Sequence, residues 1–161
     1  MIIREIKDFD FFHIIEIENN SYDSPEELSV LTNKWENDSK YCFVAESNSI
    51  ITGFIIAYPA CKDHVAKLHS KYLENTPDEK KQSLYIHDIA ISSEFKGIGI
   101  GTKLCNHVYT LAKKNGLDHT HLVAVNKPAA SFWRSRGYLI TEIVATVHGY
   151  SEDAVVMQRK L

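Results

Sequence analysis

Three glycines spaced two apart, Gly97, Gly99 and Gly101, separate an apolar run from an amphipathic one, and no other stretch limits the fold as much. The preceding run, residues 84–92, has Leu84-Tyr85-Ile86 leading and Ile89-Ala90-Ile91 closing. It is too apolar for an edge strand and reads as a central one. The following run places Leu104, Val108, Leu111 and Ala112 on one helical face and stops at Asn115-Gly116, as a C-cap should. Glycine accepts positive φ and leaves no side chain over the backbone. The free N–H groups of such a helix start can hold a phosphate or diphosphate, with Lys96 and the Thr102 hydroxyl to assist. Tight strand-to-helix packing would use the same glycines, so both readings stand at this point.

The rest of the chain supplies one mixed domain. Ile2, Ile3 and Ile6 suggest a first strand. Residues 8–18 carry Phe11, Ile14, Ile15 and Ile17 at a helical period. Ser24-Pro25-Glu26-Glu27 reads as a helix start, with Ser24 capping, Pro25 at the first helical position and Glu27 closing a capping box. Leu28, Leu31 and Trp35 would share the inward face. Residues 41–46 and 50–58 form a predicted hairpin around Ser47-Asn48-Ser49. Residues 62–73 have a weak helical pattern in Val65, Leu68 and Tyr72, and residues 74–81 a polar loop. A strand at 121–125, a helix at 126–136 stopped by Gly137, and strands at 138–147 and 154–159 complete an α+β or mixed α/β order over residues 1–161.

Charge and cysteine content narrow the classes of partner. The formal net charge of -3 leaves no strong positive field for nucleic acid or an anionic membrane, so neither is expected. Cys42, Cys61 and Cys105 are an odd set in a chain long enough to need no staple, which reads as reduced thiols. With no apolar leader and no membrane-length run, a cytoplasmic location is expected.

The glycine junction fits neither common nucleotide fingerprint. A P-loop needs GxxxxGK[ST], but Gly101 is followed by Thr102 and then Lys103. The dinucleotide GxGxxG would need glycine at Thr102. The segment Lys96-Gly97-Ile98-Gly99-Ile100-Gly101 instead resembles motif A of the GCN5-related N-acetyltransferase superfamily, [Q/R]-x-x-G-x-[G/A], with Lys96 where Arg or Gln is usual. Residues 121–126 followed by Ala129-Ala130-Ser131-Phe132-Trp133-Arg134-Ser135-Arg136-Gly137-Tyr138 resemble motif B. The detailed likeness covers about residues 84–138.

The resemblance implies a mostly antiparallel twisted sheet, splayed between its fourth and fifth strands and flanked by helices. It implies acetyl-CoA as co-substrate, with pantetheine along Ile89, Ala90 and Ile91 and diphosphate on Lys96, Gly97, Ile98, Gly99, Ile100, Gly101 and Thr102. Asn126 and Phe132 would also meet the cofactor. It implies transfer to a primary amine of a small molecule or to a peptide N-terminus, and often a homodimer. Glu16, Tyr22 and Tyr150 come from segments that line the acceptor pocket in the family. An acyl-CoA-binding module without transfer is the alternative.

Amine attack on a thioester needs a base, an oxyanion donor and a proton for the thiolate. His87 is the first base candidate, an imidazole in the central strand; a satisfied core histidine is the plain alternative. Asp88 would point oppositely in a regular strand and can serve as base, orienter or amine ligand. His121 is a weaker base candidate. His119, on the same face, lacks the further ligands a metal needs, so no metal is expected. Many family members carry a tyrosine acid where this chain has Trp133, and indole has no titrating proton. Tyr109 or Tyr150 could replace it only if the fold brings them close.

Overall fold

The computed structural model describes residues 1–72, 78–143 and 148–161. Among the described residues, seven strands form one sheet in the order β1-β2-β3-β4-β5-β7-β6. They are β1 (Ile2–Glu5), β2 (Phe43–Ser47), β3 (Ile50–Ala60), β4 (Ser83–Ile91), β5 (His119–Ala124), β6 (Leu139–Ile143) and β7 (Val155–Lys160). Every neighbouring pair is antiparallel except β4 and β5. The helices are α1 (Phe11–Asn19), α2 (Leu28–Asn37), α3 (Ile100–Lys114) and α4 (Lys127–Arg134).

The helices cover the sheet on both faces. Leu104, Val108 and Ala112 of α3, with Trp133 of α4, pack on Phe43, Ile55, Leu84 and Ile86. On the other face Phe11, Ile14 and Ile17 of α1 and Leu31 of α2 pack on Val44, Phe54, Ile56 and Ala90. β4 is thus buried on both sides, which is why its sequence alternates so little. Among the described residues, no helix is long and apolar enough to cross a membrane.

Two features of β4 shape the cleft. Its parallel pairing with β5 covers only Ser83, Leu84 and Tyr85 against His119, Thr120 and His121. Beyond that point the strands part, while β4 continues to Ile91. On its other edge, Ile56 and Ala57 of β3 face Asp88 and Ile86, so His87 is an extra residue, a β-bulge. A bulge undoes strict alternation. His87 and Asp88 therefore both meet the segment between α1 and α2, not opposite faces as a regular strand predicts.

Three other expectations fail. The helix expected at Ser24 begins only at Leu28, with Glu27 extended at its N-cap. Glu26 turns into the interior instead, Ser24 Oγ hydrogen-bonds His69 Nε2 at 3.0 Å, and Leu28 stays exposed. Of the face expected on α2, Leu31 is buried and Trp35 packs on Phe11, but Val30 and Lys34 are buried where Leu28 was expected. Residues 61–72 hold no helix, because their backbone bonds outward: Leu68 N–H to the His148 carbonyl, Gln158 to the Lys62 carbonyl, and Tyr72 N–H to Asn33. The end of the weak helix at Leu73, much of the polar loop, and residues 144–147 of the predicted strand lie outside the described residues.

Candidate active site

Between the parted strands lies a cleft of about 1010 Å³, bounded by β4, the glycine turn, α4 and the α1–α2 segment. At its outer end Gly97 and Gly99 have φ of +83° and +85°, a left-handed conformation that glycine tolerates best. A Cβ at either would meet nothing within 4 Å, so it is the backbone angle that requires glycine, and the space above is open. Gly101 has an ordinary φ, and a Cβ there would only graze Ile91 and Phe132. Lys96, Ile100 and Thr102 line this end, whereas the exposed Ile98 does not. Among described residues the first turn of α3 holds no acid. Arg136 lies here too, stacked 3.4 Å from the Phe132 ring centroid and donating to Thr102 Oγ1 at 3.1 Å.

The middle of the cleft is apolar. Ile89, Ala90 and Ile91 lie along the β4 edge freed by the splay, facing Ala129, Phe132 and Trp133 of α4. Asn126 caps α4, its Oδ1 accepting from Ala129 N–H at 2.9 Å. That bond satisfies one of the N–H groups that the first turn leaves unpaired.

The inner end is polar and buried. Glu26 Oε2 is 2.9 Å from His87 Nε2 and 3.2 Å from Lys34 Nζ. Lys34 is 1% exposed and also donates to the Ser70 carbonyl. Burial pushes the Glu26 carboxyl up, but the His87 hydrogen bond and the charges of His87 and Lys34 outweigh it and hold it at about 2. Its contribution to stability is thus full above about 4.5 and lost as pH falls toward about 2. Glu26→Ala, which strands a buried lysine, is expected to cost about 3–5 kcal/mol, measured by urea unfolding at neutral pH. His87 Nδ1 is buried and has no hydrogen-bond partner among the described residues.

Glu18 and Asp88 meet beside this network. Burial and the Asp88 charge push Glu18 up to about 9, while burial also raises Asp88. Tyr22 donates to Asp88 Oδ1 at 2.8 Å and is also 2.9 Å from the Ile89 carbonyl. The folded state keeps a proton on Glu18 that the unfolded chain has lost above about 4.5, so stability falls as pH rises from there toward about 9. Glu18→Gln is expected to remove that slope, which is at most about 1.4 kcal/mol of unfolding free energy per pH unit, so urea unfolding should show a larger gain at about pH 8 than at about pH 5.

The sequence model of the Acetyltransferase (GNAT) family matches residues 9–138. The chain belongs to that family. An uncharacterized N-acetyltransferase of Methanocaldococcus jannaschii is 34% identical over 115 residues, 69% of this chain and 45% of that protein. N-alpha-acetyltransferase 50 of Danio rerio is 30% identical over 91 residues, 52% of each. The chain spans about half the length of these two curated relatives. Among solved structures, Arabidopsis thaliana Naa50 in complex with the bisubstrate analogue CoA-Ac-MVNAL has a TM-score of 0.74 at 18% identity, covering 99% of this chain and 98% of that one. A GNAT-like decarboxylase, GphF, in complex with isobutyryl-CoA has a TM-score of 0.84 at 14% identity, covering 99% of each. At such identities the likeness shows the GNAT fold.

Several sequence expectations change on this GNAT scaffold. His121 is fully buried, its Nδ1 2.7 Å from Ser83 Oγ and its Nε2 3.0 Å from the His64 carbonyl. Burial lowers it to about 4, and with both ring nitrogens occupied it is not a free base. His119 pairs with Asp118 away from the cleft. Glu16 is exposed on α1 and does not line the cleft; Glu18, two residues on, does. Tyr109 is buried against Tyr138 in the core, whereas Tyr150 and Trp133 reach the cleft wall. Glu18, Lys34 and Arg136 were not singled out in the sequence, and Glu26 only as part of a helix start. A signal existed for two of them: Glu18 lies four residues after Ile14, and Lys34 three after Leu31, each a charge on an apolar helical stripe.

Proposed function

We propose that this chain transfers the acetyl group of acetyl-CoA to a primary amine by direct attack in a ternary complex. The observation that supports this best is the early end of β4–β5 pairing: it opens a cleft with a glycine turn at one end and an imidazole–carboxylate pair at the other. The residues fit the co-substrate. Positive-φ glycines under open space suit a diphosphate, with Lys96 and Thr102 beside them. The freed edge of β4 at Ile89, Ala90 and Ile91 suits the amide groups of a pantetheine arm. Asn126 and Phe132 line the same channel. The thioester supplies the activated acyl group.

The roles of His87 and Asp88 follow from their partners. With its Nε2–H donated to Glu26, His87 presents the Nδ1 lone pair as base and takes the amine proton. Glu26 fixes the tautomer and steadies the imidazolium that forms, and Lys34 keeps Glu26 ionised. Backbone N–H groups on the β4 edge can meet charge developing on the acyl oxygen. Asp88 stands on the acceptor side of His87, with Tyr22. Trp133 has no proton to give the thiolate, and Tyr150, whose hydroxyl donates to the Ala66 carbonyl at 3.0 Å, would have to give up that bond to supply one. The acceptor is an amine or a peptide N-terminus; N-alpha-acetyltransferase 50 makes the latter worth inclusion. The proposed setting is the cytoplasm, in keeping with three free cysteines.

Trp133 favours a second reading, an acyl-CoA-binding module without transfer, and the likeness to a GNAT-like decarboxylase is a reminder that the fold hosts other chemistry. Thiol release from acetyl-CoA, followed against amines, aminoglycosides, polyamines and short peptides, separates the two. Amine-dependent release supports transfer. Tight CoA binding with no release by any acceptor supports the module.

A further inference from the structure

The inner polar end of the cleft is short of one cation. Of its three buried carboxyls, Glu26 is matched by Lys34 and His87, and the fourth carboxyl on the lining, Asp23, is exposed. Glu18 and Asp88 have no basic side chain within ion-pair distance among the described residues. Glu18 Oε1 accepts from Glu26 N–H at 2.8 Å, while among the described residues Oε2 has no donor, although Glu18 is 1% exposed and lines the cleft. Its neighbour is the Asp88 carboxyl, a second acceptor whose donor is Tyr22. Two adjacent buried carboxyls cannot both ionise cheaply, so the pair holds one proton. An ammonium would replace that proton at equal charge: two carboxylates and one ammonium carry the same net charge as a pair sharing one proton. It would also bring the N–H donors that Oε2 lacks.

We infer that Glu18 and Asp88 form an ammonium-binding subsite, and that the acceptor is a diamine or polyamine. This rests on the N-acyltransferase reading above. The nitrogen that attacks must be neutral, whereas two carboxylates keep a bound nitrogen protonated. The amino group held by Glu18 and Asp88 is therefore not the one acylated, and the acceptor carries two. His87, beside Asp88, serves the reacting nitrogen, and Glu18 sets which acceptors fit.

Binding should expel the shared proton to solvent. Below about 9 the affinity for a diamine should rise with pH by up to about tenfold per unit. The groups that face the pair, Tyr22, Glu26, His87, Lys34 and Tyr150, stay in place in every arm of the test.

The test is calorimetric and needs no turnover. The protein is first titrated with CoA; failure to bind CoA would overturn the cofactor reading and leave the subsite to be judged on the amine titrations alone. Diamines of propane, butane, pentane and hexane are then titrated into the CoA-loaded protein, each against its monoamine, in buffers of differing ionisation enthalpy near neutral pH. At least one diamine should bind about tenfold or more tightly than its monoamine and release about one proton per site. Glu18→Gln should remove both the preference and the proton release, with CoA affinity unchanged, and Asp88→Asn should weaken the diamine alike. No preference for any diamine, or proton release retained in Glu18→Gln, would overturn the proposal.

Discussion

Gly99→Asp is expected to weaken CoA binding by about 100-fold or more while the protein stays folded. Two effects act together. At φ +85° any residue with a Cβ is strained, by about 1–2 kcal/mol. The carboxylate would then stand in open space over the turn, where nothing lies within 4 Å to reposition it. There it can accept the N–H groups that a diphosphate would use, and it repels the diphosphate charge. Gly99→Ala separates the two effects: it carries the strain without the charge and should lose far less affinity. Calorimetric CoA titration beside a thermal melt reads both. Undiminished affinity in Gly99→Asp would remove the diphosphate from this turn.

His87→Ala is expected to lower kcat by about 10²–10⁴, the usual worth of a positioned base, with little change in CoA affinity. Glu26→Gln should also lower kcat, because a neutral amide replaces the carboxylate that accepts Nε2–H across 2.9 Å and so no longer steadies the imidazolium. The two residues act as one unit, so the double variant should be scarcely slower than His87→Ala alone. Full additivity in steady-state rates would mean that Glu26 does not work through His87. An unchanged kcat in His87→Ala would reduce the imidazole to packing between Tyr58 and Tyr85, whose rings lie 6.3 and 6.2 Å away.

The outer half of the site was legible from local pattern. The strand at 84–92, the glycines and the helix to Lys114 agree with β4 and α3 to within a residue or two, the helix beginning at Ile100 so that Gly101 lies in its first turn. Period and positive-φ demand are properties of a few consecutive residues, so they can be read without knowing the neighbours. Asn126 before a helix is a local signal of the same kind, and it caps α4. Even a local signal can be overruled, as Ser24-Pro25-Glu26-Glu27 shows. The capping box lost because Glu26 gains more from Lys34 and His87 in the interior than from the first turn of a helix.

The inner half depended on partners far along the chain. The bulge at His87 is a mismatch between β4 and β3, set by how Ile56 and Ala57 align with Ile86 and Asp88. Nothing in residues 84–92 alone announces it, yet it places His87 and Asp88 on one face. Glu18 and Asp88 are far apart in sequence, as are Glu26 and His87, which are separated by 61 positions. A carboxylate's character depends on whether a cation reaches it in the folded protein: Glu26, matched, is held at about 2, and Glu18, unmatched, is raised to about 9. Sequence pattern is enough to locate a glycine turn at a helix start, because backbone angles and helix ends are local. The charge state of the buried carboxyls is not, because electrostatics in a low-dielectric interior is a sum over neighbours that folding alone assembles.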